Sequence, residues 1–355
     1  MKMASEAAAM PTVFFCLRAD SDVDQIVPVI DGLARRGGAA IRVIVYDPVK
    51  TYRDDFRIRH LYDRYGIEVE HLLELPGIAW HRRRSVPIVR GLFHALLELQ
   101  RRLPSFLSRP FQPVLGMLRE HMHTMSKSSE SAAALTAEVA KASTGMVIFD
   151  HTKHPLARAV TAAARSAGLP TLALPHSVSH LSNLPPGKVP DPNADGDEGW
   201  SALYDRVALP NEVFAQRVYK KYKDPSFLTV LGSARFSRDW GAVLDWQPGG
   251  TKVLFILSKK GPYVDWDEVN RITLRLSRDP RVALAIKPHP RTEISGIPQF
   301  VAGPQVRLAP AELPTASLIH WADLVVFWGS SVIYDALRLR KPTLHLAYLF
   351  KLHFD

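Results

Sequence analysis

The sequence predicts an α/β protein made of two halves, each a parallel sheet covered by helices. Three observations carry that expectation. Short apolar runs alternate with segments of helical length, which implies parallel sheets buried on both faces. The first such unit is strand, helix, strand, with Gly37-Gly38 marking the helix stop. The alternation pauses at "SRDWGAVLDWQPGG" (237–250), a Gly- and Pro-containing stretch, and then restarts.

Element by element, "TVFFCL" (12–17) reads as a strand, "RADSD" as a polar turn, 23–36 as a helix and "AIRVIVYD" (40–47) as the second strand. Residues 52–65 read as a helix and "GIEVEHL" (66–72) as a short strand. A basic stretch and residues 110–142 then form a helical insertion, about 80–142, expected to be broken at Pro87, Pro104, Pro110 and Pro113. "GMVIFD" (145–150), a helix over 155–167, "PTLALPH" (170–176), "RVALP" (206–210), a helix over 211–222 and "FLTVLGSARF" (227–236) complete a first domain, 11–236. After a linker, 237–251, the second domain spans 252–355. It reads "KVLFILS", helix 264–277, "RVALAIKP", helix 313–321, "ADLVVFWG", helix 331–339 and "PTLHLAY". Two Rossmann-like domains facing across a cleft follow, with ligands at the carboxyl ends of strands. The chain stops at "FKLHFD" soon after a strand, so a truncated second domain is expected.

With 355 residues, 46% of them hydrophobic and 23% charged, the chain can bury a sizeable core. A single cysteine, Cys16, excludes a disulfide framework and fits a reducing compartment. No secretory leader and no apolar run of membrane-spanning length is present, so a cytoplasmic location is expected. The net charge is +10, and between His81 and Arg119 eight arginines meet one acid, Glu98, among interleaved apolar residues. Such a stretch suits an anionic membrane surface, nucleic acid or a plain solvated helix face. No nucleic-acid motif accompanies it. The expectation is therefore a peripheral protein at the inner face of the cell membrane, without a nucleic-acid partner.

The most informative stretch is "LAIKPHPRTE" (284–293). Each proline fixes its own φ and biases the residue before it toward an extended backbone, so Lys287 and His289 should stand on a stiff cationic prong at a strand end. Other polar residues fall at similar places: Arg18 and Asp20; Asp150, His151 and His154; His176 and Ser177; Arg291; and Gly329, Ser330 and Ser331. In "WGSSVIYDAL" (328–337) Gly329 permits close backbone approach, and Ser330 or Ser331 can cap the next helix, which favours a phosphate there. Two strand ends would then converge on one anion, a diphosphate or a phosphodiester. A metal is not expected. "DPNADGDEG" (191–199) starts like a calcium loop, yet Ala202 occupies the twelfth position, where a bidentate Glu is needed.

"KPHPR" followed by "SSVIYDALRLRKPTL" resembles the C-terminal domain of GT-B transferases that use cytidine nucleotide donors. That group comprises CDP-glycerol glycerophosphotransferases, capsule Kdo transferases and bacterial sialyltransferases. "LPTLALPHSVS" and "VLGSARFSRD" resemble the same group, so the likeness runs discontinuously over 145–347. The resemblance implies a GT-B fold and an inverting, metal-independent transferase without a cofactor. It would use a CMP- or CDP-activated donor and a polysaccharide or lipid-linked acceptor, in capsule or surface polysaccharide synthesis. It also implies that His289, Ser330 and Ser331 hold the donor phosphate, that Lys287 and Arg291 stabilise the leaving nucleotide, and that His176 is the general base, with Asp150 and His151 as second choices. The chain departs from the pattern at Ser177, where a Gly usually follows the histidine, and lacks an acidic-acidic-Gly motif, which leaves the donor open. Two alternatives remain. A UDP-sugar 2-epimerase shares the two-domain fold but would carry a Gly-Gly turn in place of Ser330-Ser331. A non-catalytic scaffold at the membrane would keep the fold alone.

Overall fold

A computed structural model describes residues 10–18, 20–53, 55–103, 110–150, 155–175, 200–212, 215–216, 224–236, 246–258, 264–289, 297–309, 313, 315–330 and 332–349. These residues divide into two α/β units, one within 10–236 and the other within 246–349.

The first unit opens with β1 (Thr12–Leu17), in which Phe14, Phe15, Cys16 and Leu17 are all buried. Successive side chains on a strand point to opposite faces, so four buried in a row require cover on both sides. On α1 (Asp20–Arg36) Val23, Ile26, Val27 and Ile30 recur at i, i+3, i+4 and i+7, and none is exposed. β2 (Ala40–Val45), α2 (Phe56–Tyr65) and β3 (Val69–His71) follow. α2 starts at Phe56, later than the expected 52, because the Asp55 side chain accepts the Arg57 N–H and caps the helix there.

The insertion consists of α3 (Trp80–Arg102), α4 (Phe111–Ser126) and α5 (Ser129–Ala140). The expected break at Pro87 does not occur, and α3 runs through it. Pro87 removes the hydrogen bond to the Arg83 carbonyl. Val86, Arg90 and Phe93 around it are buried, so packing holds the turn without that bond. Pro113 sits in the first turn of α4, where backbone N–H groups have no helical partner in any case. β4 (Gly145–Phe149), α6 (Pro155–Ser166), β5 (Thr171–Ala173), α7 (Trp200–Leu203), β6 (Arg206–Leu209) and β7 (Leu228–Val230) complete the unit. Within 227–236, β7 ends at Val230 and a 3₁₀ turn occupies Ala234–Phe236. Gly145 opens β4 at φ 144°, and a Cβ there would lie 1.8 Å from the Thr12 carbonyl oxygen. Glycine at this position is what lets β4 lie against β1.

The second unit contains β8 (Thr251–Ile256), α8 (Trp266–Arg278), β9 (Val282–Lys287), β10 (Val306–Leu308), α9 (Thr315–Trp321), β11 (Leu324–Phe327), α10 (Ile333–Arg338) and β12 (Thr343–His345). β10 has no counterpart in the sequence reading: three residues, two of them exposed, make no apolar run. One sheet face packs Leu254, Ile256, Ala285 and Phe327 with Leu318 and Ile319 of α9. The other packs Phe255, Leu257, Ile286 and Trp328 with Val269 of α8. Among the described residues no helix is long and apolar enough to cross a membrane.

Every strand pair is parallel, in the orders β3-β2-β1-β4-β5-β6-β7 and β10-β9-β8-β11-β12. In each sheet the first strand is internal, and the chain builds outward on one side before crossing to the other. Strand order therefore reverses between β1 and β4, and again between β8 and β11. At such reversals the loops leave in opposite directions and open a crevice beyond the carboxyl ends, where open α/β sheets bind ligands.

Candidate functional site

In the first unit the residues directly past the two reversing strands are Arg18, after β1, and Asp150, after β4. They meet across the crevice: Arg18 Nη2 donates to Asp150 Oδ2 at 3.2 Å. The Tyr46 hydroxyl donates to Asp150 Oδ1 at 3.1 Å, and the Tyr204 hydroxyl donates to the Asp150 carbonyl at 3.2 Å. Arg18 is fixed at its backbone too, donating its N–H to Asp22 Oδ2 at 2.8 Å and accepting the Tyr52 hydroxyl at 3.0 Å. Asp150 is wholly buried, whereas the Arg18 side chain is 39% exposed. Arg18 Nε has no hydrogen-bond partner among the described residues. The carboxylate thus anchors one arm of the guanidinium while part of the fork faces outward, a geometry suited to an anion.

Electrostatics reinforce that arrangement. Burial opposes the charge on Arg18, but Asp150 foremost, together with Tyr46 and Asp22, outweighs it and the Arg18 pKa is raised. Burial, then the same carboxylate, pushes Tyr46, Tyr204 and the Cys16 thiol above their ordinary values. All three keep their protons at neutral pH, so both tyrosines serve Asp150 as donors.

In the second unit Lys287 pairs with Ile256 and Ile256 with Phe327. Two residues farther along each strand, His289, Ser258 and Gly329 therefore leave the sheet at one level. The Ser258 hydroxyl donates to the Trp328 carbonyl across the reversal between β8 and β11. Gly329 has φ 50°, in the left-handed region where a side chain is strained. His289 is half-buried.

Two expectations are corrected here. Lys287 is not a prong in solvent: it is the last residue of β9, only 3% exposed, because the buried strand reaches to it before the Pro-His-Pro segment begins. Of the two serines expected as caps, Ser331 lies outside the described residues and Ser330 does not cap the following helix. Its Oγ accepts the Val332 N–H at 3.3 Å, a turn formed before α10, whose first turn has no side-chain cap. With only six residues, α10 offers a weak dipole to an anion.

His151, His154, His176, Ser177, Arg291, Ser331 and the 191–199 loop lie outside the described residues. Among the described residues no three His, Cys, Asp or Glu side chains converge as metal ligands. Sequence reasoning missed Tyr46, Tyr52, Tyr204 and Ser258. Tyr46 and Ser258 each follow an apolar strand and carried the same signal as Arg18. Tyr52 and Tyr204 lie in connections and become visible only when the strands are ordered.

No family model and no curated protein matches the chain. Among solved structures it is similar to a UDP co-structure of S. aureus MnaA, at 13% identity over 95% of this chain and 79% of that one, with a TM-score of 0.56. It is also similar to UDP-N-acetylglucosamine 2-epimerase from Rickettsia bellii, at 12% identity over 96% of this chain and 80% of that one, with a TM-score of 0.52. A looser likeness, with a TM-score of 0.46 at 15% identity over 94% of this chain and 80% of the other, is to the glycosyltransferase SnogD from Streptomyces nogalater. The first two likenesses show the fold: two parallel-sheet α/β units of GT-B type.

Proposed function

We propose that the protein is an enzyme acting on a nucleoside-diphosphate sugar, and that its reaction is 2-epimerisation of a UDP-linked sugar. The observation that carries this reading is the Arg18–Asp150 pair at the first strand reversal of a chain path shared with a UDP-bound protein. Arg18 presents a partly exposed fork toward a diphosphate, and Asp150 orients it. In the second unit His289, Ser258 and the backbone around Gly329 and Ser330 line the level at which a nucleotide phosphate would sit. Inverting C2 of a UDP-sugar needs the C2 proton removed as the C1–O bond to UDP breaks and a C1=C2 double bond forms, then a proton returned to the opposite face of C2 as UDP re-adds to C1. His176 and His151 would be suitable carriers, since an ordinary imidazole titrates near 6.5. Asp150, buried beneath Arg18, acts in this reading as a positioning residue.

One observation favours a second reading, a transferase with a CMP- or CDP-activated donor and a polysaccharide or lipid-linked acceptor. Ser330-Ser331 stands where an epimerase would carry two glycines, and His289 stands in a Lys-Pro-His-Pro-Arg run. Incubation with UDP-N-acetylglucosamine in deuterated buffer, followed by proton NMR, separates the two. An epimerase replaces the C2 proton with deuterium and accumulates the C2 epimer. Unchanged UDP-N-acetylglucosamine, with turnover of a cytidine donor instead, would overturn the first reading in favour of the second.

A further inference from the structure

The outward face of α3 is apolar where a solvated helix would be polar. Trp80, Ile88, Leu92 and Leu99 are 60%, 72%, 49% and 44% exposed. Their spacing sets them on the side of the helix opposite the buried Val86 and Phe93. α4 packs against α3 through Leu115 and Met122 on Phe93, and adds Met117 at 65% exposure and Val114 at 40%. Six large apolar side chains exposed on two adjacent helices exceed the scattered exposure of an ordinary surface.

Charge identifies what this face fits. Among the described side chains of the eight arginines between His81 and Arg119, Arg82 pairs with Glu130 at 2.5 Å and the buried Arg90 with Glu74 at 3.0 Å, so these two serve the fold. Arg83, Arg84 and Arg119 are exposed, with Arg84 lying 4.3 Å over the Trp80 ring and Arg119 5.6 Å over Phe93. Against them α3 and α4 expose two acids, Glu98 and Glu120. We propose that the outward face of α3 docks on an anionic lipid surface, with Trp80, Ile88 and Leu92 entering the interface and Arg83 and Arg84 meeting headgroup phosphates. An anionic lipid surface supplies the negative charge that Arg83 and Arg84 complement. The inference does not depend on which reaction the protein catalyses. The inward side of the same helix holds the loop after β2, through Arg90 Nε to the Pro48 carbonyl at 3.2 Å and His94 to the Val49 carbonyl at 3.1 Å. That loop carries Tyr52 to Arg18, so the docked helix adjoins the first crevice.

The test is flotation of the whole chain with vesicles of phosphatidylcholine alone and of equal parts phosphatidylcholine and phosphatidylglycerol. The wild type should float with the anionic vesicles, less so as salt is raised. Ile88→Glu/Leu92→Glu and Arg83→Glu/Arg84→Glu should each bind at least about tenfold more weakly. Both variants change exposed positions, so unchanged melting temperatures establish that they are folded. Absence of wild-type binding to anionic vesicles, or equal binding by folded variants, overturns the proposal. So does a wild-type dimer that dissociates in Ile88→Glu/Leu92→Glu without any vesicle binding, an outcome that assigns the face to self-association.

Discussion

At Arg18 the backbone N–H, the carbonyl and the guanidinium each meet a different residue: Asp22, Tyr52 and Asp150. Such a position is specified several times over, and its two partners across the crevice should respond differently to substitution. Arg18→Met leaves the wholly buried Asp150 carboxylate without its cation. Loss of one partner of a fully buried pair costs about 3–5 kcal/mol, and the partial exposure of Arg18 reduces the expected loss to about 2 kcal/mol. Asp150→Asn keeps an acceptor for Tyr46 and leaves Arg18 to hydrate, so about 1 kcal/mol is expected. Urea denaturation of the two variants gives the order directly. An Asp150→Asn loss exceeding that of Arg18→Met would contradict the view that Asp150 serves to hold Arg18. The sequence marked both residues, because each is the first polar group after a run of buried apolar ones. It could not tell that the two pair, which depends on β1 and β4 being neighbours although 132 positions separate the residues.

Element boundaries show which forces the sequence hides. Pro87 reads as a helix breaker by propensity, yet burial of Val86, Arg90 and Phe93 keeps α3 continuous. Ser330 reads as a cap by residue type, yet its turn closes before α10 begins. The connection after β2 is held by side chains from two later elements, Arg90 of α3 and His71 at the end of β3. His71 accepts the Leu73 N–H on Nδ1 at 3.1 Å and donates from Nε2 to the Asp47 carbonyl at 2.8 Å, which requires the neutral ring. Burial, then the Arg90 charge, lowers its pKa from 6.5 to about 3. The unfolded chain takes up that proton below pH 6.5 and the folded chain does not, so the stability due to neutral His71 is complete above 6.5 and declines as pH falls toward about 3. The slope contributed is at most ~1.4 kcal/mol per pH unit. His71→Gln should lose stability less steeply than the wild type over that window, as read from urea midpoints. Parallel profiles would show that His71 is not the group responsible.

Across the whole molecule, two parallel sheets were legible because most strands are short apolar runs that alternate with helix-length segments. β10 was not, being short and exposed. The reversal of strand order, which turns strand ends into candidate sites, depends on crossovers that no local pattern encodes. Likewise "KPHPR" carried the expectation of a ligand-facing segment, whereas burial of Lys287 follows from how far β9 extends beside β8. The central proposal is that the protein binds a uridine-linked diphosphate. Titration calorimetry of UDP, UMP, CDP and CMP with the wild type and with His289→Ala, without added metal, tests it most directly. UDP should bind more tightly than either cytidine nucleotide, and its affinity should fall in His289→Ala. Preference for CDP or CMP would contradict the uridine assignment, and absence of all nucleotide binding would contradict the account as a whole.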